Sequence, residues 1–118
     1  MTRKDFDCLK NKRAYAERQY HVVSAMLMAE LRENGVFSDG YGRITEVHHI
    51  WMRSHCPLWY IFQPENLYPI SAELHQVIHC KAPGDMTPTE REYYDYFQQR
   101  IEQLKKENDA YITETTKG

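Results

Sequence analysis

Along the chain, apolar positions change their period, and each change predicts an element. Tyr20, Val23, Leu27 and Leu31 recur at helical spacing, which predicts a helix over 11–34 that Gly35 is placed to end. The stretch "SDGYGR" is rich in turn residues. "ITEVHHI", 44–50, begins as an alternating, β-branched run and predicts a strand. A long connection, 51–65, follows, in which Pro57 and Pro64 exclude a continuous helix. "ENLYPI" predicts a second short strand. Ser71 then suits an N-cap and Glu73 the first turn of a helix running to about Lys81, with Pro83-Gly84 as its stop. "TPTE" is a capping box with Thr87 as N-cap, Pro88 at the first helical position and Glu90 at the third. The helix it starts should reach about Tyr111, with Tyr94, Phe97, Ile101, Leu104 and Tyr111 on its apolar stripe and Asn108 interrupting it. Residues 113–118 read as a frayed tail.

Composition narrows the class. The chain has 118 residues, enough for one small domain, and 42% hydrophobic with 27% charged residues suits a globular protein and excludes a disordered one. No run of about 18 apolar residues offers a membrane span, and no membrane partner is expected. The opening "MTRKDFDCLKNKR" lacks the apolar segment of a signal peptide, so a cytoplasmic location is expected. Cys8, Cys56 and Cys80 are far apart and form no CxxC pair, so neither a zinc ribbon nor a disulfide framework is expected. The net charge of −2 argues against a protein that coats nucleic acid indiscriminately. Its distribution is uneven: residues 1–20 carry six basic against three acidic residues, and 85–118 carry eight acidic against five basic. The basic end could touch phosphates or simply be a solvated helix face.

The candidate chemistry lies in the histidines. In "SAELHQVIHC", His75 and His79 are four apart, which on a helix puts both imidazoles on one face, able to share a metal ion. Alone, such a pair more often reflects packing or coincidence than a metal site. His48 and His49 are adjacent at the end of the first strand, and Asn66 opens the second. Strand, strand and helix form a unit compact enough to bring all five residues into one pocket. Strict alternation would send His48 and His49 to opposite faces, so both can serve only if the strand ends or twists there.

The order "EVHHI", "ENLYPIS", "ELHQVIH" resembles the HNH endonucleases, the ββα-metal or His-Me finger family, and is similar to the nuclease colicins in its paired histidines and HxxxH helix. The match covers about 44–80. It departs from the family in having His48 where many members have Asp, in lacking bracing CxxC pairs, and in an aromatic-rich connection from His49 to Asn66. The resemblance implies an α+β fold: an N-terminal helix, a ββα-metal finger over about 44–82 and a long C-terminal helix, with 1–118 as a single domain. It further implies that His48, His75 and His79 hold one divalent metal ion, that His49 is the general base, and that Asn66 fixes the loop and the orientation of His49. The residues alone leave the roles of His48 and His49 exchangeable. DNA is the implied substrate, cut or nicked to leave 5′-phosphate and 3′-hydroxyl ends. A bacteriophage source, and so a host-cytoplasmic location, is implied with it.

The chemistry suits these groups independently of the family. Phosphodiester hydrolysis needs a deprotonated water, and an imidazole titrating near neutrality can take that proton. Nitrogen ligation favours zinc, nickel or other transition metals, whereas magnesium prefers oxygen; the expected ion is one of zinc, nickel, manganese or magnesium. Arg43 and Arg53 are candidate phosphate contacts, equally readable as surface arginines. Trp51, Trp59, Tyr60 and Phe62 could stack on unpaired bases, though core filling is the simpler reading. His55 and Cys56 could add ligands but suit a solvent-facing loop, and His21 suits a structural role. Two other functions fit the same residues: an anti-defence inhibitor that binds a protein partner, and a regulator that binds DNA without cutting it, each keeping the metal for structure.

Overall fold

The structure, a computed structural model, describes residues 1–116. Its elements are helix α1 (Arg3–Asp7), helix α2 (Lys12–Glu33), strand β1 (Ile44–His49), strand β2 (Leu67–Ser71), helix α3 (Ala72–Cys80) and helix α4 (Pro88–Thr116). The expected mixed α+β fold is present, with a helix ahead of a two-stranded antiparallel sheet and a long helix after it. None of these helices is long and apolar enough to cross a membrane.

The caps set the boundaries. Gly35 takes a φ of +72°, the amide of Val36 donates to the Leu31 carbonyl and the amide of Gly35 to that of Arg32, so α2 ends in a Schellman motif. The box at Thr87 forms in both directions: the Thr87 amide donates to Glu90 Oε1 at 2.9 Å and the Glu90 amide to Thr87 Oγ1 at 3.2 Å. Ser71 Oγ accepts from the Leu74 amide at 3.0 Å and starts α3.

β1 and β2 pair antiparallel, with His48 opposite Tyr68, His49 opposite Leu67 and an irregularity between Ile44 and Glu46. Each strand has a free edge, and Pro69, which has no amide to donate, is tolerated there. The second strand starts later than "ENLYPI" suggests, because Pro64–Asn66 form a turn of 3₁₀ helix. From Glu46 onward the side chains alternate. Glu46 and His48 meet α3 and α4, whereas His49 meets Tyr20 of α2, with ring centroids 4.9 Å apart.

The core lies between the helical extensions and the 51–66 connection. Phe6, Ala16, Cys56, Tyr60, Ile61, Phe62 and Leu104 are buried together, and Trp51 and Trp59 pack against them. The aromatic connection therefore fills the core. Tyr60 and Phe62 are unavailable to stack on bases, because the apolar surface of Phe6 and Leu104 covers them. Cys56 is likewise buried and does not face solvent.

Two features differ from the sequence reading at the ends. α1 is an additional helix, capped by a reciprocal Thr2–Asp5 box, and its Phe6 anchors the core. Residues 113–116 belong to α4, where the hydroxyls of Thr115 and Thr116 donate to carbonyls one turn back, so the frayed tail is not observed over these positions. The rest of that segment, 117–118, lies outside the described residues. Asn108 does not merely interrupt the stripe. It is buried, and its Oδ1 accepts from Arg3 Nη2 at 2.5 Å, which ties α1 to α4.

Candidate metal centre

α3 positions two of the three candidate ligands. Its buried Leu74 fixes the rotation of the helix against the strands, which leaves His75 and His79 one turn apart on the same side. β1 supplies His48 from the opposite wall. One ring nitrogen from each of His48, His75 and His79 lies within 4.8 Å of the others, and the three residues could hold a metal ion. His48 Nδ1 is 3.2 Å, and His79 Nε2 2.9 Å, from His75 Nε2. Ligands about 2.0–2.1 Å from a tetrahedral zinc ion stand about 3.3 Å from one another, so the cluster has the right dimensions.

The electrostatics favour neutral, ligand-ready imidazoles. Burial, then the neighbouring His75, His79 and His49, pushes the His48 pKa down to about 3. Burial and then His75 lower that of His79. His75 is oriented by a residue the sequence reading missed: its Nδ1 lies 2.7 Å from Oε2 of Glu46. That carboxylate accepts a hydrogen bond from Nδ1–H, which keeps the proton on Nδ1 and leaves the Nε2 lone pair facing the other two rings, a common arrangement behind metal-bound histidines. Period-two alternation from His48 would have marked Glu46 as its neighbour on the same face.

His49 sits beside the cluster but is not part of it. Its Nε2 donates to the carbonyl of Ile61 at 3.0 Å, so Nδ1 keeps a free lone pair. Burial lowers its pKa, against the opposing pull of the Ile61 carbonyl. β1 ends at His49, as the use of both histidines requires. His48, His49, His75 and His79 line one cleft of about 430 Å³ together with Arg13, Arg53, Met52 and Ser54.

Asn66 holds the connection in place. It is fully buried; its Oδ1 accepts from the Trp51 amide at 2.6 Å, and its Nδ2 donates to the carbonyls of Trp51 at 3.2 Å and Tyr60 at 3.0 Å. Tyr60 immediately precedes the residue whose carbonyl fixes His49. Asn66 touches neither the ligands nor the cleft, so its part is positioning.

The two arginines separate. Arg53 lines the histidine cleft, pairs with Glu17 and stands 5.7 Å from the centroid of the Tyr20 ring. Arg43 lies at the other end of β1, in a cleft with Met28, Leu31 and Phe37, away from the histidines. Arg13 joins Arg53 in the cleft; its place in the basic N-terminal segment was its only sequence signal. His55 is exposed beside Ser54, and His21 is exposed on α2; neither joins the cluster, nor does Cys56. No known protein family, curated protein or solved structure matches this chain.

Proposed function

We propose that this chain is a metal-dependent endonuclease of the HNH type that hydrolyses DNA phosphodiester bonds. One observation carries the reading: a three-histidine cluster shares a cleft with a fourth histidine whose Nε2 is engaged by Ile61 and whose Nδ1 is free. A divalent ion held by His48, His75 and His79 would supply Lewis-acid stabilisation of the charge developing on the phosphoryl oxygens and the leaving O3′. His49 accepts the proton of the attacking water at Nδ1, while the Ile61 carbonyl keeps the ring in the tautomer that makes Nδ1 an acceptor. Arg13 and Arg53 bring positive charge to the same cleft and draw in the phosphate.

The test is a nicking assay on supercoiled plasmid with zinc, nickel, manganese and magnesium, in parallel with a gel shift. The metal-loaded parent should nick the plasmid. His49→Ala should lose about 100- to 10,000-fold in rate while binding metal as tightly as the parent. A parent that binds metal but cuts with none of the four ions would overturn the enzyme reading, with a gel shift then indicating a binding protein. If His49→Ala loses the metal and His48→Ala keeps it, the two roles are reversed.

A further inference from the structure

Away from the histidine cleft, three tyrosine rings wall an open cavity of about 440 Å³ between β2 and α4. Tyr68 comes from the strand, and Tyr93 and Tyr96 stand one turn apart on the helix. The rings are steeply inclined: Tyr68 and Tyr93 lie 6.4 Å apart at 77°, and Tyr68 and Tyr96 6.1 Å apart at 59°. Tyr41 packs beside Tyr93, with ring centroids 6.4 Å apart at 77°. Glu92 lines the same cavity and makes no ion pair among the described residues. Asp39 adds a second negative charge nearby: burial first, then Asp39, Tyr41 and Glu92, raise the Tyr93 phenol above its ordinary value.

Three tyrosine rings and a carboxylate without an ion-pair partner among the described residues line one space, and aromatic rings and a carboxylate both attract positive charge. The complement is a cation. An anionic ligand would meet Glu92, and a nucleic-acid strand would bring its phosphates against it. A neutral apolar ligand would gain nothing from Glu92. This end of the chain is also the acidic one, with eight acidic against five basic residues over 85–118. The Tyr96 ring already receives a cation of the chain itself, Arg100, whose guanidinium carbon is 6.0 Å from the ring centroid. With 43% of its surface exposed, Tyr96 has further area to offer, and exposed tyrosine clusters are typical anchors of protein interfaces.

We propose that Tyr68, Tyr93, Tyr96 and Glu92 form a receptor for an arginine or lysine side chain presented by a partner protein. The site is separate from the metal centre and does not depend on catalysis.

The experiment is an NMR titration of the full chain, following tyrosine ring signals, with N-acetyl-arginine amide, N-acetyl-lysine amide, N-acetyl-norleucine amide and tetramethylammonium chloride as probes. One or both basic amides should shift the rings of Tyr68, Tyr93 and Tyr96 saturably, and the neutral norleucine amide should not. Tyr93→Leu should weaken the basic amide by about 3- to 30-fold. Tyr96→Leu, at a more exposed position, and Glu92→Gln should weaken it in the same direction, and metal affinity should stay parental in both. Equal shifts from the arginine, lysine and norleucine amides would mean an apolar groove and overturn the proposal. So would no saturable shift from either basic amide, or binding of tetramethylammonium alone, which would make it a small-molecule site. Unchanged affinity in both Tyr96→Leu and Glu92→Gln would overturn it as well.

Discussion

Glu46 Oε2 stands 2.7 Å from His75 Nδ1, on the far side of the ring from the nitrogen that faces His48 and His79. The carboxylate thereby decides which His75 nitrogen carries the proton, and it does so from β1, the strand that also carries His48.

Glu46→Ala should weaken metal affinity about 10- to 100-fold, because the ring loses both its orientation and the added basicity the carboxylate gives it. Competition against a metal-sensitive dye measures this. Since Glu46 is an exposed side chain, the fold should survive, and an affinity equal to the parent's would remove Glu46 from the metal centre.

Saturation should give about one divalent ion per chain, and the ion should stabilise the fold. A ligand present at 100 times its Kd adds about 2.7 kcal/mol to the native state. For a domain of this size that corresponds to a melting temperature higher by about 10 °C. Chelation should reverse it. His79→Ala should abolish the increment with little effect on the metal-free protein, because His79 is largely exposed. A melting curve unmoved by verified removal of the ion would refute the link between metal and stability.

Asn66→Ala should destabilise the protein by about 2–4 kcal/mol. The substitution leaves the buried Tyr60 carbonyl and the partly buried amide and carbonyl of Trp51 without their partner; a fully buried group left so costs about 1–3 kcal/mol, and the Trp51 groups, within reach of water, cost less. Urea unfolding reads the change. A loss below about 1 kcal/mol would mean that the connection holds its shape by packing alone. In a variant that still folds, nicking should fall more than metal affinity, because the displaced Ile61 carbonyl orients His49 rather than the ligands.

Asp39 offers a pH test. Burial works against its charge, but the amides of Ser71, Tyr41 and Gly42 outweigh it and hold the carboxyl below its ordinary 3.8. A depressed folded pKa contributes stability that is complete above 3.8 and disappears as pH falls through the folded value. Asp39→Asn should therefore be less stable than the parent at pH 7, and the gap should narrow as pH falls below 3.8 through the folded value. A gap of constant size from pH 7 down to the onset of acid unfolding would show that the charge of Asp39 is not what matters.

What the sequence made legible follows from how local each signal is. The Thr87–Glu90 box, the Gly35 stop and the His75–His79 spacing are read within a few residues, and all are present in the structure. The short α1 carried the same kind of signal in "TRKD", but five residues without a repeating apolar face gave no periodicity to find. Contacts between distant segments were less legible. Nothing near His49 in sequence names the Ile61 carbonyl as its partner, and Arg13 reaches the cleft only because α2 packs under the 51–66 connection. The aromatic residues of that connection have the same composition as a base-stacking loop; only the burial of Phe6 and Leu104 against them decides for the core.

The bonds of Asn66 have one more consequence. They tie the two ends of the connection, while Met52, Arg53, Ser54 and His55 remain exposed between those ties. A break in the backbone after Arg53 would leave two pieces still joined by the β1–β2 ladder and by the Arg3–Asn108 bond. His48 would be on one piece and His75 and His79 on the other. The chain is thus laid out as a two-part assembly whose reunion from separate fragments an added ion would report.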